Sequence, residues 1–243
     1  MLLPALADFG RDNSDWHAFV ESAAFCGFVG VMIIAATRMP GGVSFDMRQA
    51  FLITVGGWLS VSLLGALPFL GLGIGITDAV FESMSGLTTT GATILYGLDM
   101  LPPGILLWRA QLQWIGGIGI VATAIVMLPF LRVGGMQLFR IEHTMPGEEK
   151  LSSGFWTIAW LFAIYAGITL ACIIAYRVLG MSLFDAVTHA MATVSTGGFS
   201  THDASFGYFA SPALHWVATV FMLAGALPFY LYLRVLRGRP LTL

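Results

Sequence analysis

Long apolar stretches broken by short polar punctuation set the pattern of this chain. The first runs from Phe19 to Thr37, with Glu21 near its start as its one charge. The turn signal Arg38-Met39-Pro40-Gly41-Gly42 closes it, and Arg48 follows. Gln49 to Thr77 is then free of charge for 29 residues. That length predicts one tilted spanning helix and a re-entry segment, because two spans at about 20 residues each do not fit. Asp78 to Leu87 comes next as a short helix of about 15 Å, half the thickness of a bilayer core. It runs into the hydroxyl-rich loop Thr88-Thr89-Thr90-Gly91-Ala92-Thr93. After the turn Leu101-Pro102-Pro103-Gly104, Ala110 to Leu131 is uncharged for 22 residues and predicts another span.

Arg132 to Ser153 is a polar linker, with Arg140, Glu142, His143, Glu148, Glu149 and Lys150. The order of elements then repeats. Gly154 to Tyr176 predicts a span, Ser182 to Val194 a half-helix, Ser195 to Ser200 a loop, and Ser211 to Leu233 a closing span. Placing Asp78-Ala79-Val80 on Asp185-Ala186-Val187, an offset of 107 residues, carries Met84 onto Met191, Thr89 onto Thr196 and Gly91 onto Gly198. The predicted fold is an all-α membrane protein. Two tandem helix–loop–helix repeats, 49–131 and 154–243, flank the linker 132–153 and follow an N-terminal segment and extra helix, 1–48. Met1 to Ala7 is too short to span, and Asp8, Arg11, Asp12 and Asp15 mark a polar segment behind it. Ser182 is placed to cap the second half-helix, with Asp185 at the capping-box position.

Composition agrees with the pattern: 10% of residues are charged, 57% hydrophobic, and the mean hydropathy is +0.84. A soluble domain carries about 25% charge, so this is an integral membrane protein. A single lysine, Lys150, gives no basic surface for nucleic acid. Cys26 and Cys172 lie in apolar stretches and read as packing residues. The N-terminus lacks the basic start and length of a secretory signal. With the linker placed in the cytoplasm, Arg38, Arg48, Arg132, Arg140, Lys150, Arg234, Arg237 and Arg239 share one side. Arg11, Arg109 and Arg177 take the other, eight against three. This positive-inside bias puts the N-terminus and both glycine loops outside.

Each half-helix then enters from outside and ends, C-terminus first, near the bilayer centre. Its unpaired carbonyls and macrodipole put about half a negative charge there, which favours a dehydrating cation. Thr88 to Thr93 and Ser195 to Ser200 can hold extended backbone whose carbonyls replace an ion's water. Glycine at 91 and 198 suits a φ or a close approach that a Cβ would obstruct. Irregular backbone at membrane depth is tolerated where it lines a water-filled path or is buried in protein. The arrangement predicts a cation pore.

The motifs Thr-Thr-Thr-Gly-Ala-Thr (88–93), Gln-Trp-Ile-Gly-Gly-Ile-Gly (113–119) and Ser-Thr-Gly-Gly-Phe-Ser-Thr-His-Asp (195–203) resemble those of the TrkH family, the membrane subunits of bacterial Trk potassium uptake systems within the Trk/Ktr/HKT superfamily. The resemblance covers essentially the whole chain. It implies membrane–pore–membrane repeats around a potassium filter, with Gly91 and Gly198 at its narrowest point. The filter set would be Thr89, Thr90, Gly91 and Ala92 in one loop and Thr196, Gly197, Gly198 and Phe199 in the other. Glycine at 91, where sodium-passing relatives often carry serine, favours potassium as the transported ion. The resemblance also implies an inner-membrane location, a homodimer and a cytosolic nucleotide-binding ring docked near Arg132 to Lys150 and the C-terminal basic turn. It implies no cofactor. The family pattern has four repeats, an N-terminal helical hairpin and an interrupted gate helix in the third repeat. This sequence holds two repeats and one hairpin helix, as a fragment cut at both ends would. Two repeats cannot close a four-fold filter alone; two copies could.

Other residues carry plainer readings. Glu82, an acid inside the membrane, is expected to pair with Arg109 behind the filter, and its counterpart His189 removes it from any symmetric role. Asp78 and Asp185 stabilise the half-helix N-termini. Asp99, His202 and Asp203 fall in a solvated outer mouth. Trp108, Trp114, Trp156 and Trp216 lie towards span ends, as interfacial belts do. Gly116, Gly117 and Gly119 permit close helix packing. No nucleophile–base pair, phosphate loop or metal-ligand cluster supports an enzyme. Two other functions compete with a potassium pore: a non-conducting membrane scaffold, and a secondary transporter built on broken helices. The transporter predicts inverted repeats, whereas these run in one orientation.

Overall fold

The structure is a computed structural model describing residues 1–9, 16–38, 47–127, 149–229 and 231–232. Residues Arg11, Asp12 and Asp15, the turn beyond Arg38, linker residues 132–148 and the C-terminal arginines lie outside the described residues, as does the Trp156 side chain. In chain order the helices are α1 (Leu2–Phe9), α2 (Trp16–Thr37), α3 (Met47–Gly65), α4 (Leu67–Leu70) and α5 (Ile76–Leu87). After a 3-10 turn at Leu98–Met100 come α6 (Pro103–Met127), α7 (Glu149–Val178), α8 (Leu183–Val194) and, beyond another 3-10 turn at Ser205–Tyr208, α9 (Pro212–Ala226). Among the described residues, four segments are long and apolar enough to cross a membrane: Trp16–Thr37, Met47–Leu70, Pro103–Thr123 and Ile158–Val178. The chain is an all-α integral membrane protein.

The expected breaks fall where the residues dictate. The 29-residue uncharged run divides at Gly65–Leu67, where Pro68 sits in the first turn of α4, and α5 then starts again after Gly75. Both short helices come out at 12 residues, about 18 Å of helix. Three boundaries differ from expectation by five residues or more, the first being the start of α6 at Pro103, ahead of Ala110. α7 begins at Glu149, inside the stretch expected as linker. α9 ends at Ala226, ahead of Pro228, instead of continuing to Leu233, because proline removes a helical hydrogen bond and crowds the preceding turn.

α6 is the spine of the fold: α5 packs on one part of it and α8 on another, while α1 lies along its start. Asp8, expected in a polar segment, is fully buried and accepts the Gly104 N–H at 2.6 Å at the opening of α6. A carboxylate there offsets the positive end of the helix dipole. Two apolar clusters flank the spine. One gathers Phe19, Phe69, Ala79, Ile105, Trp108 and Leu112 around α5; the other gathers Tyr165, Cys172, Tyr176, Ala186, Ala190 and Leu214 around α8.

Each short helix presents a stripe of small residues inward: Ala79, Ser83 and Gly86 on α5, and Ala186, Ala190 and Thr193 on α8, all buried. Their spacing of i, i+4 and i+7 is one helical face, and small side chains let neighbouring backbones approach closely. Gly116 and Gly225 show how close. A Cβ at Gly116 would stand 1.8 Å from the Leu87 carbonyl oxygen, and one at Gly225 would stand 2.2 Å from that of Val194. Leu87 and Val194 are the last residues of α5 and α8. The packing role expected of Gly116 and Gly117 is therefore what they perform.

Candidate functional site

α5 and α8 end in the same way. Thr89 N–H reaches the Gly86 carbonyl and Thr90 N–H the Ser85 carbonyl, both at 3.0 Å. At the aligned positions Thr196 N–H reaches Thr193 at 3.0 Å and Gly197 N–H reaches Ala192 at 2.9 Å. This paired 5→2 and 6→1 closure needs a left-handed residue just past the helix, a place where glycine is usual. Here threonine fills it twice, with φ of 56° at Thr89 and 55° at Thr196. A β-branched residue in that region is strained by about 1–2 kcal/mol. Strain held by surrounding structure clusters at functional sites.

Two residues further on, Gly91 and Gly198 both have positive φ, 76° and 83°. The conformational reason for glycine thus holds in both loops. Close approach holds in one: a Cβ at Gly91 would lie 2.0 Å from the Gly197 carbonyl oxygen, whereas Gly198 is exposed with nothing within 4 Å. The two loops therefore meet side by side at Gly91 and Gly197. Thr90 is exposed, and its hydroxyl lies 2.8 Å from that of Thr88. The Ala92 carbonyl is engaged by the Ser85 hydroxyl, and Phe199 is buried with its N–H taken by Gln113.

A buried polar shell holds the loops from behind. Glu82 and Arg109, 0% and 1% exposed, pair at 2.7 Å as expected. Both Glu82 oxygens accept from the Thr93 hydroxyl, and one also accepts the Ile94 N–H at 3.2 Å. Arg109 donates to Thr93 Oγ1 at 3.0 Å and to the Ser200 carbonyl at 2.9 Å, and its guanidinium carbon lies 4.2 Å from the Phe199 ring centroid. One arginine therefore ties the two loops together. Because it is buried in α6, Arg109 does not belong among the loop charges used to orient the chain. His189, at the Glu82-equivalent position, has Nε2 2.9 Å from Ser200 Oγ and Nδ1 2.9 Å from the Asp185 carbonyl. Thr93 and Ser200 are themselves aligned, so an acid and an imidazole perform the same anchoring task.

At the N-terminal ends of the short helices the loops clasp each other. Asp203 accepts the Leu98 N–H at 3.1 Å, Asp99 accepts the Asp203 N–H at 3.3 Å, and His202 Nδ1 bonds to Asp99. His202 also stacks on Tyr208, with centroids 3.5 Å apart. The mouth is exposed at Asp99 and Asp203, as expected, and is a bonded contact as well; the His202 hydrogen bond holds the Asp99 carboxyl below its ordinary pKa. Ser182 performs the capping expected of it: its Oγ accepts the Asp185 N–H at 3.0 Å, while the Asp185 carboxylate accepts from the Ser182 hydroxyl at 2.7 Å and from Thr201 at 2.8 Å. At the opposite, C-terminal ends lies a cavity of about 240 Å³, bordered by Thr89, Thr196, Ser195, Gly117, Tyr165 and Gly225. Among the described residues no group of three or more His, Cys, Asp or Glu side chains comes together to hold a metal ion.

Sequence reasoning missed Gln113, the interloop reach of Arg109, and the roles of Trp108 and Trp114. Trp108 is buried and donates to the Gly65 carbonyl at 2.9 Å; Trp114 donates to Thr169 at 3.0 Å; Trp216 is exposed. The first two bind helix to helix instead of marking an interface. The available signal for Gln113 was a neutral polar side chain inside an apolar span, which needs a partner.

Residues 17–239 match the model of the TrkH family, described as cation transport protein. The Trk system potassium uptake protein TrkH of Escherichia coli K12 is 43% identical over 99% of this chain and 51% of its own length. The TrkH protein of Vibrio parahaemolyticus is 47% identical over 96% of this chain and 49% of its own. The crystal structure of the potassium transporter TrkH from Vibrio parahaemolyticus superposes with a TM-score of 0.85 at 37% identity, covering 98% of this chain and 48% of that one. The chain spans about half the length of the curated relatives it matches. With its two glycine loops, its membrane helices and this kinship together, the chain belongs to the TrkH family of cation transport proteins.

Proposed function

We propose that this chain supplies two of the carbonyl-lined loops through which a potassium ion crosses the bacterial inner membrane in a Trk-type uptake system. The observation that carries the reading is the repeated backbone of the loops. Thr89 and Gly91, and Thr196 and Gly198, share left-handed φ at positions 107 residues apart, directly beyond the C-termini of two buried half-length helices. Helix C-termini favour a cation, and their kin are potassium uptake proteins. The filter set is Thr89, Thr90, Gly91 and Ala92 with Thr196, Gly197, Gly198 and Phe199. The repeats are 49–131 and 154–243, with both loops and the N-terminus outside and the linker 132–153 in the cytoplasm. In this reading the partner subunits are a second copy and a cytosolic nucleotide-binding ring docked near Arg132 to Lys150.

Two loops wall an ion path on two sides, so the other walls come from further loops. This favours one rival, a chain that inserts and associates but moves no ion by itself. Potassium-limited growth of an uptake-deficient bacterium separates the two. The chain is expressed alone and joined to the remaining half of the Vibrio parahaemolyticus relative. The joined form is expected to restore growth, and Gly91→Asp or Gly198→Asp to abolish it at unchanged membrane level. Growth that survives either substitution would refute the filter reading. Rescue by the chain alone would remove the rival.

A further inference from the structure

Three contacts from α6 fall on one dipeptide of the second loop. Arg109 holds the Ser200 carbonyl at 2.9 Å and lies 4.2 Å from the Phe199 ring centroid. One turn along the helix, Gln113 Oε1 accepts the Phe199 N–H at 3.0 Å. Gln113 is fully buried, and its Nε2 has no hydrogen-bond partner among the described residues. A Cβ at Gly197 would stand 2.4 Å from the Gln113 amide carbon, so glycine at 197 is what admits the side chain this far. Leaving one amide donor buried and unpaired is unfavourable, so the surrounding fold enforces this placement of Gln113.

That bond fixes a direction. In a trans peptide the C=O and the following N–H point opposite ways, so holding the Phe199 N–H towards α6 turns the Gly198 carbonyl away from it. Gly198, at φ 83° with open space around it, is free to rotate its peptide in a way other residues are not. An external acceptor is therefore needed to choose one orientation. The first loop has a different restraint, the Ser85 hydroxyl on the Ala92 carbonyl. The residue corresponding to Gln113 in α9, counting from Pro103 and Pro212, is Met222, which offers no such acceptor.

The geometry points to Gln113 as the positioning residue that aims the Gly198 carbonyl into the ion path and so sets selectivity among monovalent cations. This rests on the ion-path reading of the loops. The test compares potassium and sodium uptake in the form of the chain that restores growth, carrying Gln113→Met or Gln113→Glu. Gln113→Met should lower the potassium-to-sodium ratio about tenfold, the effect of losing one buried hydrogen bond. Gln113→Glu keeps an acceptor for Phe199 and should recover most of the ratio. An unchanged ratio in Gln113→Met, even with total uptake reduced, would overturn the proposal. The ion-path reading fails separately, through uptake that persists in Gly91→Asp. If Gln113→Met does not reach the membrane, hydrogen exchange on the unaltered protein decides. A protected Phe199 amide is expected, and exchange as fast as in an unfolded peptide would overturn the role.

Discussion

A Cβ at Gly91 would stand 2.0 Å from the Gly197 carbonyl oxygen, whereas one at Gly198 meets open space, although both residues have positive φ. The two glycines should therefore respond differently to alanine. Gly198→Ala carries only the cost of a left-handed side-chain-bearing residue, about 1–2 kcal/mol. Gly91→Ala adds a backbone collision, which overpacking data put at about 1–3 kcal/mol more. Thermal melting of the detergent-solubilised protein should show the larger loss in Gly91→Ala; equal losses would refute the close approach of the loops. The need for glycine at both places was legible, because the aligned hydroxyl-rich loops imply unusual backbone. That Thr89 and Thr196 take the left-handed position ahead of the glycines was not, since threonine is a poor choice there on local grounds. It is the helix-end closure, from Ser85 to Thr90 and from Ala192 to Gly197, that forces it.

Among the elements, α6 does most to fix the loops, through Arg109, Gln113 and Gly116 on successive turns. Its glycines were readable as packing positions, and the Glu82–Arg109 pair was readable because two opposite charges in an apolar setting must find each other. What Arg109 does beyond Glu82 was hidden, since Ser200 lies 91 residues away along the chain. Separations of 43 and 55 residues likewise hid the roles of Trp108 and Trp114, whose partners are on α3 and α7. The pair invites a double-mutant cycle. Arg109→Met alone strands a buried carboxylate and Glu82→Gln alone strands a buried guanidinium, each costing about 3–5 kcal/mol. The double variant should lose less than their sum, read by melting. Additive losses would mean the two groups act independently. Packing makes a second demand: Gly116→Ala and Gly225→Ala each push against the carbonyl closing a short helix, and each should destabilise by about 1–3 kcal/mol. A neutral result in either would show that the helices can slide apart.

Across the whole molecule, two short helices converge with their C-terminal ends on one cavity, while Asp99, His202 and Asp203 clasp the loops at the other end. The class of fold and the half-length helices were legible from run lengths alone. The clasp was not, because short polar loops read as solvated until a partner loop is placed beside them. Cys172 is buried and Cys26 is half-buried on α2, so labelling of an introduced loop cysteine is read against the unaltered chain. The most direct test of the central claim labels Thr90→Cys and Thr196→Cys with a charged thiol reagent in cells carrying the form that takes up potassium. Both positions are exposed, and the reagent should reach them. Potassium should slow labelling at both sites and sodium should not, because an ion held by the loop carbonyls excludes the reagent. Labelling at the same rate with and without potassium would contradict the claim that these two loops line the ion's path.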